Sequence, residues 1–287
     1  MSRRSVQTAV IAAIGICFVA AGLLLMRPEK TDYPDIDIPD PPELDPVSMD
    51  MPDSSRGDTA DASVTNVSGD TYLYRIFNQK AGYNNYSKYL SAHGCSTCAL
   101  TTILRTTVPE LAELTPDRTL TEILPEAAGQ ETFDKNFGKA MKLQMPVTLS
   151  GMTKVLDRYG VEYRRPDADK TKWAGEITSW LLSGDPVIFT FGNASEAHLS
   201  RNTHTVLLLG LDRNGHVIIG DSLHKSAAHW GMDGLVKRTD LTVEDMLSFV
   251  RTENWQILKD TVSDSHIFYK NSSDRGYLLV RKSNNNN

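Results

Sequence analysis

Two residue types needed for thiol-based acyl transfer, a nucleophile and a base, stand far apart in this 287-residue chain as Cys95 and His204, with Asp221 to orient the base. Cys95 lies in His93-Gly-Cys-Ser-Thr-Cys-Ala-Leu-Thr-Thr-Ile-Leu104, which holds two of the three cysteines, Cys95 and Cys98. From Ala99 the apolar residues Ala99, Leu100, Ile103 and Leu104 recur at helical spacing, and Ser96 and Thr97 stand where caps belong. A thiol in the first turn of a helix sits at the positive end of its dipole, which favours the thiolate. The spacing therefore points to a nucleophilic cysteine.

The base must be delivered by an element that folds back onto that helix. Thr205-Val-Leu-Leu-Leu-Gly-Leu211 and His216-Val-Ile-Ile-Gly220 flank Asp212-Arg-Asn-Gly215, a hairpin pattern with an Asn-Gly pair able to take positive φ. With Asp212 to Gly215 as a four-residue loop, Leu211 pairs with His216 and Val206 with Asp221. Side chains alternate with period two, so His204, Val206 and Asp221 share a face, with His204 and Asp221 diagonal neighbours. A two-residue Asn-Gly turn would shift the register and separate them. In the four-residue register Asp221 holds the imidazole tautomer and the other ring nitrogen takes the thiol proton.

The remaining elements are ordered helices first, strands later. Tyr72 to Phe77 reads as a short strand, followed by a Gly-, Tyr- and Asn-rich loop opening at Asn78-Gln79. Leu120 to Leu124 reads as a helical segment that stops at Pro125, and Ala140 to Leu143 as another before Pro146. Thr148 to Tyr159 reads as an amphipathic helix closed by Gly160, with a short strand at Val161 to Tyr163. Trp173 to Leu182 is a helix, Val187 to Phe191 a buried strand, and more strand is expected at 267–269 and 276–281. This order predicts a one-domain α+β fold with an antiparallel sheet.

Before residue 71 the chain changes character. From Ala9 to Met26 there is no charged or strongly polar residue, a length that as a helix spans about 27 Å, close to a bilayer core. No small-x-small cleavage site closes it, and Ile16 is too bulky to precede a lipid-modified Cys17. Residues 1–30 are accordingly read as an uncleaved signal anchor, a single-pass transmembrane helix with the remainder outside the cytoplasm. Residues 31–70 are acidic, with prolines at 34, 39, 41, 42, 46 and 52 and Arg56 as the single basic residue, and read as a disordered stalk. The domain is expected over 71–282, and 283–287 as a solvated tail. The net charge of -6 and the lack of a basic patch exclude nucleic acid as a partner.

The segments Phe77-Asn-Gln-Lys80, Gly94-Cys-Ser-Thr-Cys-Ala-Leu100, Leu182-Ser-Gly-Asp-Pro-Val-Ile188 and His204-Thr-Val-Leu-Leu-Leu-Gly210 through Gly220-Asp221 resemble the C39-like family of papain-fold cysteine peptidases. The similarity covers roughly Tyr72 to Ser222. It implies a papain-like fold, a peptide or protein substrate and no cofactor, with Cys95 as nucleophile, His204 as base, Asp221 as orienting group and Gln79 as oxyanion donor. The chain departs from the family in having Ser96-Thr97-Cys98 after the nucleophile instead of Gly-Pro-Thr or Gly-Pro-Ser. Gln79 lies 16 residues before Cys95, and Tyr89, at the papain-like spacing, has no amide to donate.

Other readings of these residues remain. Cys95-Ser-Thr-Cys98 is a CxxC, as in thiol-disulfide oxidoreductases, although a loop precedes it where such folds have a strand. A papain-fold domain without activity would bind peptide only. His93, Cys95 and Cys98 could serve as zinc ligands, but no second pair stands at a usual spacing. Cys98 reads as a packing or regulatory thiol, a second nucleophile or a disulfide partner of Cys95.

Overall fold

The structure is a computed structural model that describes residues 58–66, 69–83, 86–131, 133–134, 147–192, 204–223, 234–250 and 276–281. Its centre is a six-stranded, wholly antiparallel sheet in the order β3-β8-β4-β5-β6-β7. The strands are β3 (Tyr163–Arg164), β4 (Val187–Phe191), β5 (His204–Leu211), β6 (Val217–Gly220), β7 (Val236–Arg238) and β8 (Gly276–Val280). Strands β4, β5, β6 and β8 are buried along their whole length, because both faces are covered. Leu207, Leu209, Ile218 and Leu278 belong to one apolar cluster, and their alternating neighbours Val206, Leu208, Ile219 and Leu279 to a second. The expected α+β class with an antiparallel sheet is what the described residues form.

On the first face lie α1 (Ser87–His93) and α2 (Cys95–Thr107), the β1–β2 hairpin (Thr59–Thr65 and Thr71–Phe77) and α4 (Leu149–Arg158). On the second lie α5 (Trp173–Leu182) and α6 (Val243–Ser248). Helix α2 is the central one, buried on nearly every side from Cys95 to Leu104. Its threonines after the first turn, Thr101, Thr102, Thr106 and Thr107, are tolerated there because their hydroxyls are bonded. Thr101 donates to the Thr97 carbonyl at 2.7 Å, Thr107 to that of Ile103 at 2.8 Å, and Thr102 to Arg75 of β2 at 2.7 Å.

Several expectations need correcting. The folded part begins before residue 71: Thr59–Thr65, assigned above to a disordered stalk, is β1 and pairs along its length with β2. Ala62 and Val64 are buried, and alternation with the polar Asp61, Ser63 and Thr65 is all that marks the strand. Nor does the helix near Leu120 stop at Pro125. Pro116–Arg118, a π-turn Thr119–Ile123 and α3 (Leu124–Ala128) run on as one helical stretch. The Leu124 N–H bonds the Thr119 carbonyl five residues back, and the wider turn accommodates the proline ring that follows.

The helix expected at 148–159 is α4, capped by the Thr148 hydroxyl accepting from the Gly151 N–H at 2.8 Å and followed by Gly160 at φ 64°. Among the described residues no helix is long and apolar enough to cross a membrane. The apolar segment 9–26, residues 31–57, the helix expected at 140–143, the strand at 267–269 and the tail 283–287 lie outside the described residues.

If β1 is part of the core, Val64→Ala removes two fully buried methyl groups and is expected to cost about 2 kcal/mol of unfolding free energy. Urea denaturation reads this directly, and a solvated stalk at 59–65 would give no change.

Candidate active site

Cys95 is the first residue of α2, and its surroundings explain why the helix begins there. Gly94 joins α1 to α2, and a Cβ at that position would overlap the Leu90 carbonyl oxygen of α1. Only glycine allows the two helices to meet so closely, and the Gly94 N–H donates to that oxygen at 2.7 Å. The expected capping by Ser96 and Thr97 does not occur. No side chain caps α2, and the Ser96 Oγ and Thr97 Oγ1 are buried with no hydrogen-bond partner among the described residues. One first-turn N–H acts on the sulfur instead: the backbone N–H of Ser96 donates to it, as does that of Thr205 in β5.

His204 opens β5 and Asp221 directly follows β6. The register at the turn differs by one from expectation, since Leu211 faces Val217 and not His216. The cause is Asp212, whose carboxylate accepts from the N–H groups of Asn214 and His216, each at 2.8 Å, drawing His216 into the loop. A β-bulge between Leu208 and Gly210 then absorbs the extra residue, so that Leu207 faces Gly220. The next pair in that register is Val206 with Asp221, as expected from the sequence. His204 and Asp221 thus become diagonal neighbours on one face, and His204 Nε2 lies 2.7 Å from Asp221 Oδ1.

His204 also hydrogen-bonds Cys95, and with Nε2 committed to Asp221 the nitrogen left for that bond is Nδ1. An edge-on contact with Phe191, ring centroids 5.8 Å apart, restrains the imidazole from the side. Cys95, His204 and Asp221 are all buried. Burial pushes the Cys95 thiol up, yet the hydrogen bond and charge of His204, with the two backbone N–H groups, bring it below its ordinary value. Burial likewise disfavours charge on His204, but the Asp221 carboxylate and then Cys95 override it and raise the imidazole to about 10. Asp221, despite burial, is held well below the usual carboxylate range by His204 and Lys237. Both directions, the thiol lowered and the imidazole raised, favour the thiolate–imidazolium form of the pair over the neutral one.

Lys237 was not anticipated. It sits on β7 opposite Ile219, is buried, and places Nζ 2.6 Å from Asp221 Oδ2 and 2.8 Å from the Leu223 carbonyl. The Leu223 N–H completes the arrangement by donating to Asp221 Oδ1 at 2.8 Å. In the sequence Leu-Val-Lys-Arg238, Lys237 looks like any solvated strand charge, and nothing local marks it as buried.

Gln79, the expected oxyanion donor, is buried beside these residues but tied down. Its Oε1 accepts from the Ser222 hydroxyl at 2.7 Å, its backbone N–H donates to the Ser222 carbonyl at 3.0 Å, and Nε2 donates to Ser91 of α1 at 3.0 Å. It therefore links the loop after β2 to the residue after Asp221 and to the helix leading into Cys95. Tyr89, at the other candidate spacing, is buried on α1.

Cys95 and Cys98 are both free thiols. Cys98 differs sharply, since burial and the neighbouring Cys95 raise its pKa well above the ordinary value. A cavity of about 10 Å³ is lined by Cys95, Cys98, Thr205, Gly220 and Ser222 among others, with room for one water but no peptide side chain. Among the described residues no three His, Cys, Asp or Glu side chains converge as a metal site. His224 and His229 lie outside the described residues. The chain matches no model of a known protein family, and no curated protein is similar to it in sequence.

Two outcomes check this geometry. With a small electrophile such as iodoacetamide near pH 7, Cys95 is expected to label at least about tenfold faster than Cys98, by peptide mass spectrometry. Equal labelling contradicts the assignment of distinct states to the two thiols. Asp221→Ala strands two buried cations and is expected to cost about 3–5 kcal/mol in urea denaturation, whereas a carboxylate without these partners would cost far less.

Proposed function

We propose that this chain is a cysteine peptidase or amide hydrolase of papain-like, C39-like fold, acting on peptide or protein outside the cytoplasm and held to the membrane by residues 1–30. The observation that supports it is a thiol at an uncapped helix start, served by one nitrogen of a histidine whose other nitrogen is fixed 2.7 Å from a buried carboxylate. That is the nucleophile, base and orienter arrangement of acyl-transfer enzymes, recognised by geometry and not by sequence order.

In this reading the Cys95 thiolate attacks the substrate carbonyl and a C–S bond forms as the carbonyl π bond opens to an oxyanion. The Cys95 backbone N–H donates to that oxyanion. Gln79 donates as well, because an amide nitrogen carries two hydrogens and the bond to Ser91 uses one. The His204 imidazolium gives its Nδ1 proton to the departing amine as the C–N bond breaks. It then takes a proton from the water that hydrolyses the thioester, restoring the pair. Asp221 keeps the ring oriented and supports its charge in both steps.

Cys98 argues for hydrolysis over disulfide exchange. A CxxC oxidoreductase needs its second sulfur to attack a mixed disulfide as thiolate, and here that thiol is held protonated.

The test is incubation of the full chain with a mixture of peptides, reading new termini by mass spectrometry. Cleavage is expected to disappear in Cys95→Ala and to fall about a thousandfold or more in His204→Ala. Cleavage that survives Cys95→Ala, or disulfide reductase activity that needs both cysteines, overturns the proposal.

A further inference from the structure

His204, Asp221 and Lys237 come from three adjacent strands. Continued one residue past the Leu207–Gly220 pair, the β5–β6 register sets Val206 against Asp221, and the β6–β7 register sets Lys237 against Ile219, two residues before Asp221. His204 and Lys237 therefore flank Asp221 diagonally, one on each side, on the same face of the sheet. Each takes a different carboxylate oxygen, Oδ1 for Nε2 of His204 and Oδ2 for Nζ of Lys237. All three are at most 2% exposed, so no water screens these charges.

We propose that Lys237 is a positioning residue that neutralises Asp221, so that the Cys95 thiolate and His204 imidazolium sit in a buried site carrying no net charge. The proposal rests on the nucleophile and base reading above and adds to it what the fourth member does.

A buried site of mixed charge is tolerated only when its charges balance, since an uncompensated buried ion carries most of its desolvation penalty. The thiolate and imidazolium balance each other. Asp221 alone would leave two anions sharing one cation, and the cheapest relief is a proton on Cys95. The ammonium removes that pressure while leaving Oδ1 free to hold Nε2.

Among the described residues, the groups facing this row are few. Cys95 meets His204 from β5, Cys98 from its own helix and Tyr89 from α1; burial raises the last two, which are neutral at pH 7. His204 meets Cys95, Asp221 and the uncharged Phe191. Asp221 meets His204, Lys237 and the Leu223 N–H, and Lys237 meets Asp221 and the Leu223 carbonyl. The neighbouring Gln79–Ser222 pair is neutral.

The test is the pH dependence of Cys95 alkylation by iodoacetamide in the purified full chain, followed at the peptide level. Lys237→Met leaves a net negative site, and the acid-limb midpoint is expected to rise by about 1–2 pH units. Asp221→Asn leaves a net positive site, and the midpoint is expected to fall. The double variant, with a neutral amide as acceptor and no ammonium, is expected to return to within about half a unit of wild type.

A merely structural lysine would change the fraction folded but not move the midpoints in opposite directions. If either single variant fails to fold, the comparison of the double variant with wild type still decides, and a displaced midpoint overturns the proposal. Should wild-type Cys95 label no faster than Cys98 and ignore His204→Ala, the nucleophile reading itself falls and the proposal with it. Should labelling depend on His204 while Lys237→Met leaves the midpoint in place, Lys237 alone loses its role.

Discussion

The site depends on one buried carboxylate. Asp221 accepts from an imidazole, an ammonium and a backbone N–H, and these donors reach it from β5, β7 and its own loop. A carboxylate so placed is stable only as an anion, and as an anion it fixes the tautomer of His204. The fixed tautomer directs Nδ1 at Cys95. The chemistry proposed for the sulfur is thus a consequence of how three strands are registered, one element away from the helix that carries the thiol.

The helix end contributes the second half. Nearly all of α2 is wrapped by the core, so its side chains are spent on packing and on hydrogen bonds along its own axis. Its first turn has no side-chain cap, and the Ser96 N–H there meets the sulfur. Gly94 makes this arrangement possible by letting α1 abut α2 without a Cβ between them. A stronger cap would make a better helix and a poorer thiolate.

Much of this was legible in the chain. The type of Cys95, the strand ends at His204 and Asp221, the period-two argument that joins them, and the helices at 149–158 and 173–182 follow from local pattern. The register was right for a reason the sequence hides: a longer turn and a bulge cancel, and only the Leu207–Gly220 half of the ladder keeps the expected pairing. Lys237 was illegible because its burial comes from a strand pairing that no local signal announces. β1 was missed because Ala62 and Val64 are too few apolar residues to stand out among Asp, Ser and Thr. Pro125 misled because a π-turn can carry a helix through a proline.

The central claim, that His204 and Cys95 exist as an imidazolium–thiolate pair held by Asp221, is most directly tested by 15N NMR of the histidine-labelled chain, with His204 assigned by loss of its signals in His204→Gln. Both ring nitrogens of His204 are predicted to show the shifts of a protonated imidazolium at pH 7–8, above the ordinary value of 6.5, with the pKa raised to about 10. A His204 ring that titrates near 6.5, or that is neutral throughout this range, would contradict the account.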